Sequence, residues 1–440
     1  MNQNLPAVRA ETVFKDFKKS YSEQQARAEA NRCLYCHDAP CIKACPTGID
    51  IPKFIRRIAN DNVNGSAKAI FDSNILGMSC ARVCPVETLC VGSCVYNHMD
   101  APPIQIGKLQ RYATDMAFDQ GWEYYEAGAD TGKRVVCIGG GPASLAAAHR
   151  LRRDGHQVTI IEKGSYLGGL NTTGIASYKM KADRSISEVE WLLSIGGIEI
   201  RSGISVPDQC SWTDLKSEFD AIFVGFGLGE DSLLSLAGAE NKGIMGAVDF
   251  IAKMKLTQLD VSKVKNAVVI GGGNTALDAV RELKGLGVES VTLAYRGGEA
   301  QMSGYKHEWS EAKREGVVPS WRSQPLSFSA EQGKVTSATF QMMDENKQPL
   351  AGQTKTLPAD LVLLAIGQGK LGTLMSGLDG VVVENGKIVT DEQGSTGASG
   401  VYAGGDCRNG GKEVVNAVAE GNQAAQAIHT YLTGGGSCRT

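Results

Sequence analysis

The chain has 440 residues, with 45 basic against 48 acidic side chains, 53 glycines and few aromatics. At roughly 150 residues per domain, two to four domains are expected, and the near balance of charge excludes a nucleic-acid-binding or membrane-surface protein. The start, MNQNLPAVRAETVFKDFKKS, lacks an apolar core of signal-peptide length, and apolar runs such as Leu361 to Ile366 are too short to span a bilayer, so a cytoplasmic protein is expected.

Residues 1 to about 125 carry helical-looking segments, Ser22 to Arg32 and Ile104 to Phe118, around a cysteine cluster. Eight of the twelve cysteines fall between Cys33 and Cys94. The first run is Cys33-x2-Cys36-x4-Cys41-x3-Cys45-Pro46, and the second is Cys80-x3-Cys84-Pro85-x5-Cys90-x3-Cys94. In a chain read as cytoplasmic, such clustering means metal ligation, not disulfides. A lone Cys-x2-Cys would suggest zinc. Two runs with Cys-Pro steps instead suggest two [4Fe–4S] clusters, with the last cysteine of a run ligating the other cluster. On spacing alone Cys45 moves to the second cluster, Cys94 crosses back in return, and eight thiolates suffice. Cys137, Cys210, Cys407 and Cys438 stand apart and are expected to have no such role.

The next stretch opens a nucleotide-binding unit. A strand from Lys133 to Ile138 leads into Gly139-x-Gly141-x-x-Ser144 and a helix from Ala143 to Arg153. A second strand, Gln157 to Ile161, ends at Glu162, 21 residues beyond Gly141. Gly139 allows the tight turn, and Gly141 lets the backbone approach a pyrophosphate seated on the helix N-terminus with Pro142 and Ala143. Ser144 is small enough for close packing, and Glu162, followed by Lys163, is placed for ribose hydroxyls.

The opening repeats 132 residues later. The strand Asn266 to Ile270 precedes Gly271-Gly272-Gly273-Asn274-Thr275-Ala276 and a helix through Leu283. The following strand, Ser290 to Tyr295, ends in Arg296 where an acid would favour NAD and repel the 2′-phosphate of NADP. Two such units suggest FAD in one and NAD(P)H in the other. Gly367, just after Leu361 to Ile366, is included with the nucleotide sites. Farther on, Val401-Tyr-Ala-Gly-Gly405-Asp406 precedes a helix from about Val414 to Leu432. Asp406 could hold a ribityl hydroxyl and the Val414 end could face a phosphate. The Gly-rich tail is expected to fray.

This order of motifs resembles the glutamate synthase small-subunit family, and within it the flavin and iron–sulfur half of dihydropyrimidine dehydrogenases. The match runs from about Arg32 to Leu432 and is most specific at Cys80-Ala-Arg-Val-Cys-Pro-Val-Glu-Thr-Leu-Cys90 and Ile106-Gly-Lys-Leu-Gln110. The resemblance implies an α/β chain: a helical iron–sulfur domain over residues 1–125, an FAD domain over 131–240 and 356–440, and an NAD(P)H domain over 241–355, the last two Rossmann-like and of disulfide-reductase type. It also implies one cluster on Cys33, Cys36, Cys41 and Cys94, and another on Cys45, Cys84, Cys90 and Gln110, leaving Cys80 spare. Its flavin segment matches Glu162 through Gly169 and Leu170. Where relatives carry an arginine between flavin and nearest cluster, this chain has Lys179. NADP-using relatives place a second arginine near Arg296, and Gly297 to Ser303 holds none, so NADH is expected over NADPH. The resemblance implies electron delivery to a separate FMN-containing subunit that reduces uracil or thymine, in a hetero-oligomer. The alternatives are an NADPH-dependent glutamate synthase small subunit and a non-enzymatic assembly subunit.

Overall fold

A computed structural model describes residues 4–434 apart from 370, 372, 373 and 376; the tail from Gly435, with Cys438, lies outside the described residues. The N-terminal unit is helical because its polar caps and apolar stripes are in register. Ser22 opens Glu23–Asn31 with a reciprocal capping box to Gln25. The Asp50 carboxylate accepts the Lys53 N–H at the start of Ile51–Ala59, where Ile51, Phe54, Ile55 and Ile58 form one buried stripe. Asn62 caps Val63–Ser73 in the same way, and Gly77–Val83 and Ile106–Asp119 complete the bundle.

The first sheet contains β1 (Arg134–Ile138), β2 (Gln157–Glu162), β3 (Ile198–Ser202) and β4 (Ala221–Val224). The second contains β5 (Ile244–Gly246), β6 (Asn266–Ile270), β7 (Ser290–Tyr295) and β8 (Val318–Trp321). An antiparallel three-stranded sheet, β9 (Ser323–Glu331), β10 (Lys334–Met343) and β11 (Pro349–Pro358), follows. Then come β12 (Leu361–Leu364), the short pair β13 (Val383–Glu384) and β14 (Lys387–Ile388), and β15 (Val401–Ala403). The first sheet has the order β15-β4-β1-β2-β3 and the second β5-β12-β6-β7-β8, both parallel throughout. The inner strands β1, β4, β6 and β12 are near-continuous buried apolar runs, as parallel sheets covered on both faces require.

One expected boundary moves. A return to the flavin unit at residue 356 is contradicted by β12, which pairs with β5 and β6 inside the second sheet. Leu361 to Leu364 is a four-residue apolar strand that either sheet could bury, and register with Ala267–Ile270 decides between them. The chain re-enters the first sheet only at β15.

The two units are tied together by buried polar groups. Lys255, on the second unit's helix Ala247–Leu256, is fully buried and donates to the Ile175 and Met180 carbonyls, each at 2.8 Å. Glu282 accepts the Ser177 N–H at 2.6 Å. Glu11, also buried, accepts the Ala182 N–H at 3.1 Å and pairs with Arg9, so the N-terminal segment straps this seam. Among the described residues no helix is long and apolar enough to cross a membrane.

Candidate active site

A cavity of about 600 Å³ lies at the carboxyl ends of β1, β2, β4 and β15, where the strand order reverses direction. Open parallel sheets place ligands at this point. Gly139 has φ +92°, and a Cβ there would sit 2.6 Å from the Phe226 Cα, so only glycine fits the turn. Gly141 is the N-cap of Pro142–Arg153, with Pro142 in the first turn, so the free amides of that helix end face the cavity. Ala143, Lys163, Gly169 and Leu170 also line it, as do Gly405, Asp406 and Val414 from the C-terminal segment. Ser144 does not; it packs behind the loop, fully buried, its hydroxyl against Gly225.

Glu162 lines the cavity while accepting the Gly140 and Gly164 amides, each at 2.6 Å. It therefore shapes the turn, and each carboxylate oxygen keeps a lone pair for a hydroxyl. Burial, with Glu420 and Glu413 nearby, holds the Asp406 carboxyl above the usual aspartate range. The Cβ of an alanine at Gly421 would meet the Ala143 carbonyl at 2.2 Å. Helix Val414–Leu432 thus lies directly against the first fingerprint and brings Asp406 and Val414 to the same cavity. A site of this size, with a glycine turn, a helix N-terminus and flanking carboxylates, fits the pyrophosphate and hydroxyl groups of FAD.

Lys179 lines the cavity's inner wall and joins the two units. Its ammonium pairs with Asp278 at 2.8 Å and Glu308 at 3.1 Å, both from the second unit. Burial works against its charge, but these two carboxylates outweigh it and raise the Lys179 pKa. The Tyr178 hydroxyl donates to Asp278 at 2.6 Å, and Arg281 stacks 4.2 Å from the Tyr178 ring while holding Glu308. Composition and spacing missed this network, together with Phe17 and Lys18, which reach the cavity from the N-terminal segment. They also missed Gly225, Gly227 and Gly229 after β4, although the alternation of glycines was a visible signal.

A second cleft, of about 930 Å³, is lined by Gly272, Gly273, Thr275, Arg296 and Gly367. Asn274 instead faces the first cavity, its side-chain oxygen accepting the Tyr305 N–H. Lys387 and Asn385, on the β13–β14 hairpin, also line the cleft, so a second cation stands there that no local pattern around Arg296 could reveal. Leu228 and Gln368 border both cavities, which places the two nucleotide-sized spaces side by side.

The cysteines gather in two hollows. Cys33, Cys36, Cys41 and Cys94 line one. Cys45, Cys84, Cys90, Cys80 and Gln110 line the other. Cys94 thus joins the first run and Cys45 the second, as crossed ligation requires. A tetrahedral zinc would draw four donors to within about 2.3 Å of one point. Each hollow instead gathers cysteines from both runs, the crossed sharing that two-cluster iron–sulfur proteins use. Burial pushes the Cys41 thiol up to about 12, so metal binding must supply the energy of its deprotonation. Gln110 is buried and its amide N–H donates to the Gly77 carbonyl at 2.8 Å, which leaves the amide oxygen as the free acceptor. Cys84 lines both this hollow and the 600 Å³ cavity, and Lys18 donates to its carbonyl at 3.1 Å.

The helix that carries Cys80 and ends at Cys84 is anchored from the flavin unit. Glu188, on Ala182–Leu193, accepts the Met78 N–H at 2.9 Å, the Ser79 N–H at 3.1 Å and the Ser79 hydroxyl. Burial raises its pKa to about 7 against the lowering effect of those donors.

Residues 9–122 match the family described as dihydropyrimidine dehydrogenase domain II, 4Fe-4S cluster, and residues 133–421 match the pyridine nucleotide-disulphide oxidoreductases. The chain is 36% identical to the NAD-dependent dihydropyrimidine dehydrogenase subunit PreT of Escherichia coli, over 95% of this chain and 97% of that protein. It is 31% identical to the glutamate synthase [NADPH] small chain of Escherichia coli, over 95% of this chain and 94% of that one. In fold it is similar to Lactococcus lactis thioredoxin reductase, with a TM-score of 0.55, 23% identity, and coverage of 69% of this chain and 99% of the other.

Proposed function

The chain belongs to the pyridine nucleotide-disulphide oxidoreductase family and is an NAD(P)H-dependent flavin and iron–sulfur oxidoreductase, and on that premise we propose that it is the electron-input subunit of a dihydropyrimidine dehydrogenase. In this reading it oxidises NADH at FAD and passes electrons through two [4Fe–4S] clusters to an FMN-containing partner that reduces uracil or thymine. The carrying observation is the position of Cys84, which borders both the flavin-sized cavity and the second thiol hollow. FAD and the clusters, when bound, supply a hydride acceptor and single-electron carriers.

The chain's own residues align and insulate. Gly141 and the amides after it would hold the pyrophosphate, Glu162 and Asp406 the hydroxyls. Gly272, Gly273 and Thr275 would seat the second nucleotide beside Gln368, which borders the first cavity. Hydride transfer needs alignment more than acid–base help, so no general acid or base is assigned. Cys33, Cys36, Cys41 and Cys94 would hold the outer cluster, and Cys45, Cys84, Cys90 and Gln110 the one nearer the flavin. The partner forms a hetero-oligomer with the chain in this reading. The compartment proposed is the cytoplasm, where thiols stay reduced for ligation.

A second reading, the NADPH-dependent glutamate synthase small subunit, is favoured by the presence of both Arg296 and Lys387 in the lining of the second cleft, since two cations suit a 2′-phosphate. Anaerobic titration of the purified protein with NADH and NADPH, with iron, sulfide and flavin assays, decides between them. The first reading expects about one FAD and eight irons, as two cubane clusters require, and bleaching at far lower NADH than NADPH. Preference for NADPH moves the second reading ahead, and zinc in place of iron sinks both. For the eighth ligand, Gln110→Ala should alter the cluster spectrum and Cys80→Ala should not; the reverse pattern assigns Cys80.

A further inference from the structure

A cleft of about 140 Å³ lies where helix Val63–Ser73 of the iron–sulfur unit meets helices Pro142–Arg153 and Val414–Leu432 of the flavin unit, away from both nucleotide spaces and both thiol hollows. It is lined by Phe71, Asp72, Ile75, His149, Arg150 and Arg153 and by the amides of Asn422 and Gln426. We propose that this cleft binds a small oxyanion of phosphate size.

Three observations carry the assignment. His149 is 4% exposed and lines the cleft; its ring meets Tyr125 edge-on at 5.2 Å, and among the described residues its nitrogens have no hydrogen-bond partner. Burial, reinforced by Arg153, lowers its pKa to about 3, so it is present as a neutral imidazole with a donor to offer. The Arg153 guanidinium is braced 4.2 Å over the Tyr125 ring, and among the described residues it pairs with no carboxylate or carbonyl. Arg150 uses Nε on Asp154 at 3.0 Å, leaving its terminal nitrogens for another acceptor.

The neighbouring carboxylate is already answered. Asp72, on the cleft's rim, takes the Lys68 ammonium at 2.8 Å and the Tyr125 hydroxyl at 2.9 Å. Terminal arginines also serve to cap helix C-termini. Arg152 is held instead by the Gly196 and His156 carbonyls, which lie outside the helix. Arg153 and Arg150 point elsewhere, and planar guanidinium forks suit the oxygens of a phosphate. The volume admits a few heavy atoms only, well below the 300 Å³ or more of a typical cofactor site. An oxyanion held there would bridge the iron–sulfur and flavin units.

The test is calorimetric titration of the holoprotein, with NAD⁺ present to occupy the nucleotide cleft, against inorganic phosphate and against glycerol 2-phosphate at ionic strength fixed with chloride. One-site binding is expected, weakened at least ten-fold by Arg153→Gln and tightened by Asp72→Asn, while NADH-dependent dye reduction stays unchanged in Arg153→Gln. Tighter binding of the monoester assigns the cleft to a phosphorylated metabolite, and tighter binding of the inorganic ion to free phosphate. Absence of binding in the parent protein, or equal binding in Arg153→Gln, overturns the proposal.

Discussion

The Glu188 carboxylate is a joint between the flavin unit and the helix that bears Cys80 and ends at Cys84, and it should make stability fall as pH rises. Its folded pKa is about 7 against an ordinary value of 4.5. Between those values the folded protein holds a proton that the unfolded chain has released, so stability declines with increasing pH. The stabilisation is complete below pH 4.5 and lost on passing pH 7. The full span is about 3 kcal/mol, from roughly 1.36 kcal/mol per unit of displacement. From pH 5.5 to 6.5 alone the loss is about 1 kcal/mol. Glu188→Gln cannot ionise, so its stability should drop by about 1 kcal/mol less over that interval. Urea unfolding of anaerobic holoprotein measures this, followed by tryptophan fluorescence. Trp191 reports locally, since it sits on the same helix, its ring 4.6 Å from Phe71. Equal pH slopes for parent and variant would refute the reasoning, because every other carboxylate is common to both.

Three further outcomes follow from the packing. Lys255→Met removes charge-assisted bonds to a buried and a part-buried carbonyl, each worth about 1.5–3 kcal/mol. Relief of the buried ammonium offsets part, for a net loss of about 2–4 kcal/mol in urea unfolding and slower NADH oxidation as the nucleotide unit loses its seat. Gly421→Ala drives a methyl into the Ala143 carbonyl. Overpacking of about 1–3 kcal/mol felt at the flavin site would weaken FAD retention roughly 5- to 150-fold, measured as flavin released on dilution. Asp50→Ala strips the cap from Ile51–Ala59 and should cost about 1 kcal/mol in thermal unfolding.

Much of this protein is determined locally. β6 and β7 span the segments expected from their apolar runs, and helix Val414–Leu432 begins and ends where its pattern does. Gly139, Gly141 and Glu162 are legible because a glycine turn between strand and helix has few physical solutions, all recorded in adjacent residues. Spacing likewise suggested that Cys45 and Cys94 cross between the runs, and Cys45 lines the hollow of the second run and Cys94 that of the first. Tertiary structure decided what distant segments must settle together. β12 went to the second sheet because burial, which either sheet offered, was resolved by register. Asn274 turned to the first cavity once Tyr305 took its amide oxygen. Lys387 came to the second cleft from a hairpin 91 residues beyond Arg296. The choice between Cys80 and Gln110, both lining one hollow, arises only because the helices Gly77–Val83 and Ile106–Asp119 pack there. Local pattern encodes backbone conformation and short loops; charge pairing, strand order and shared walls depend on which surfaces meet, and no single segment carries that information.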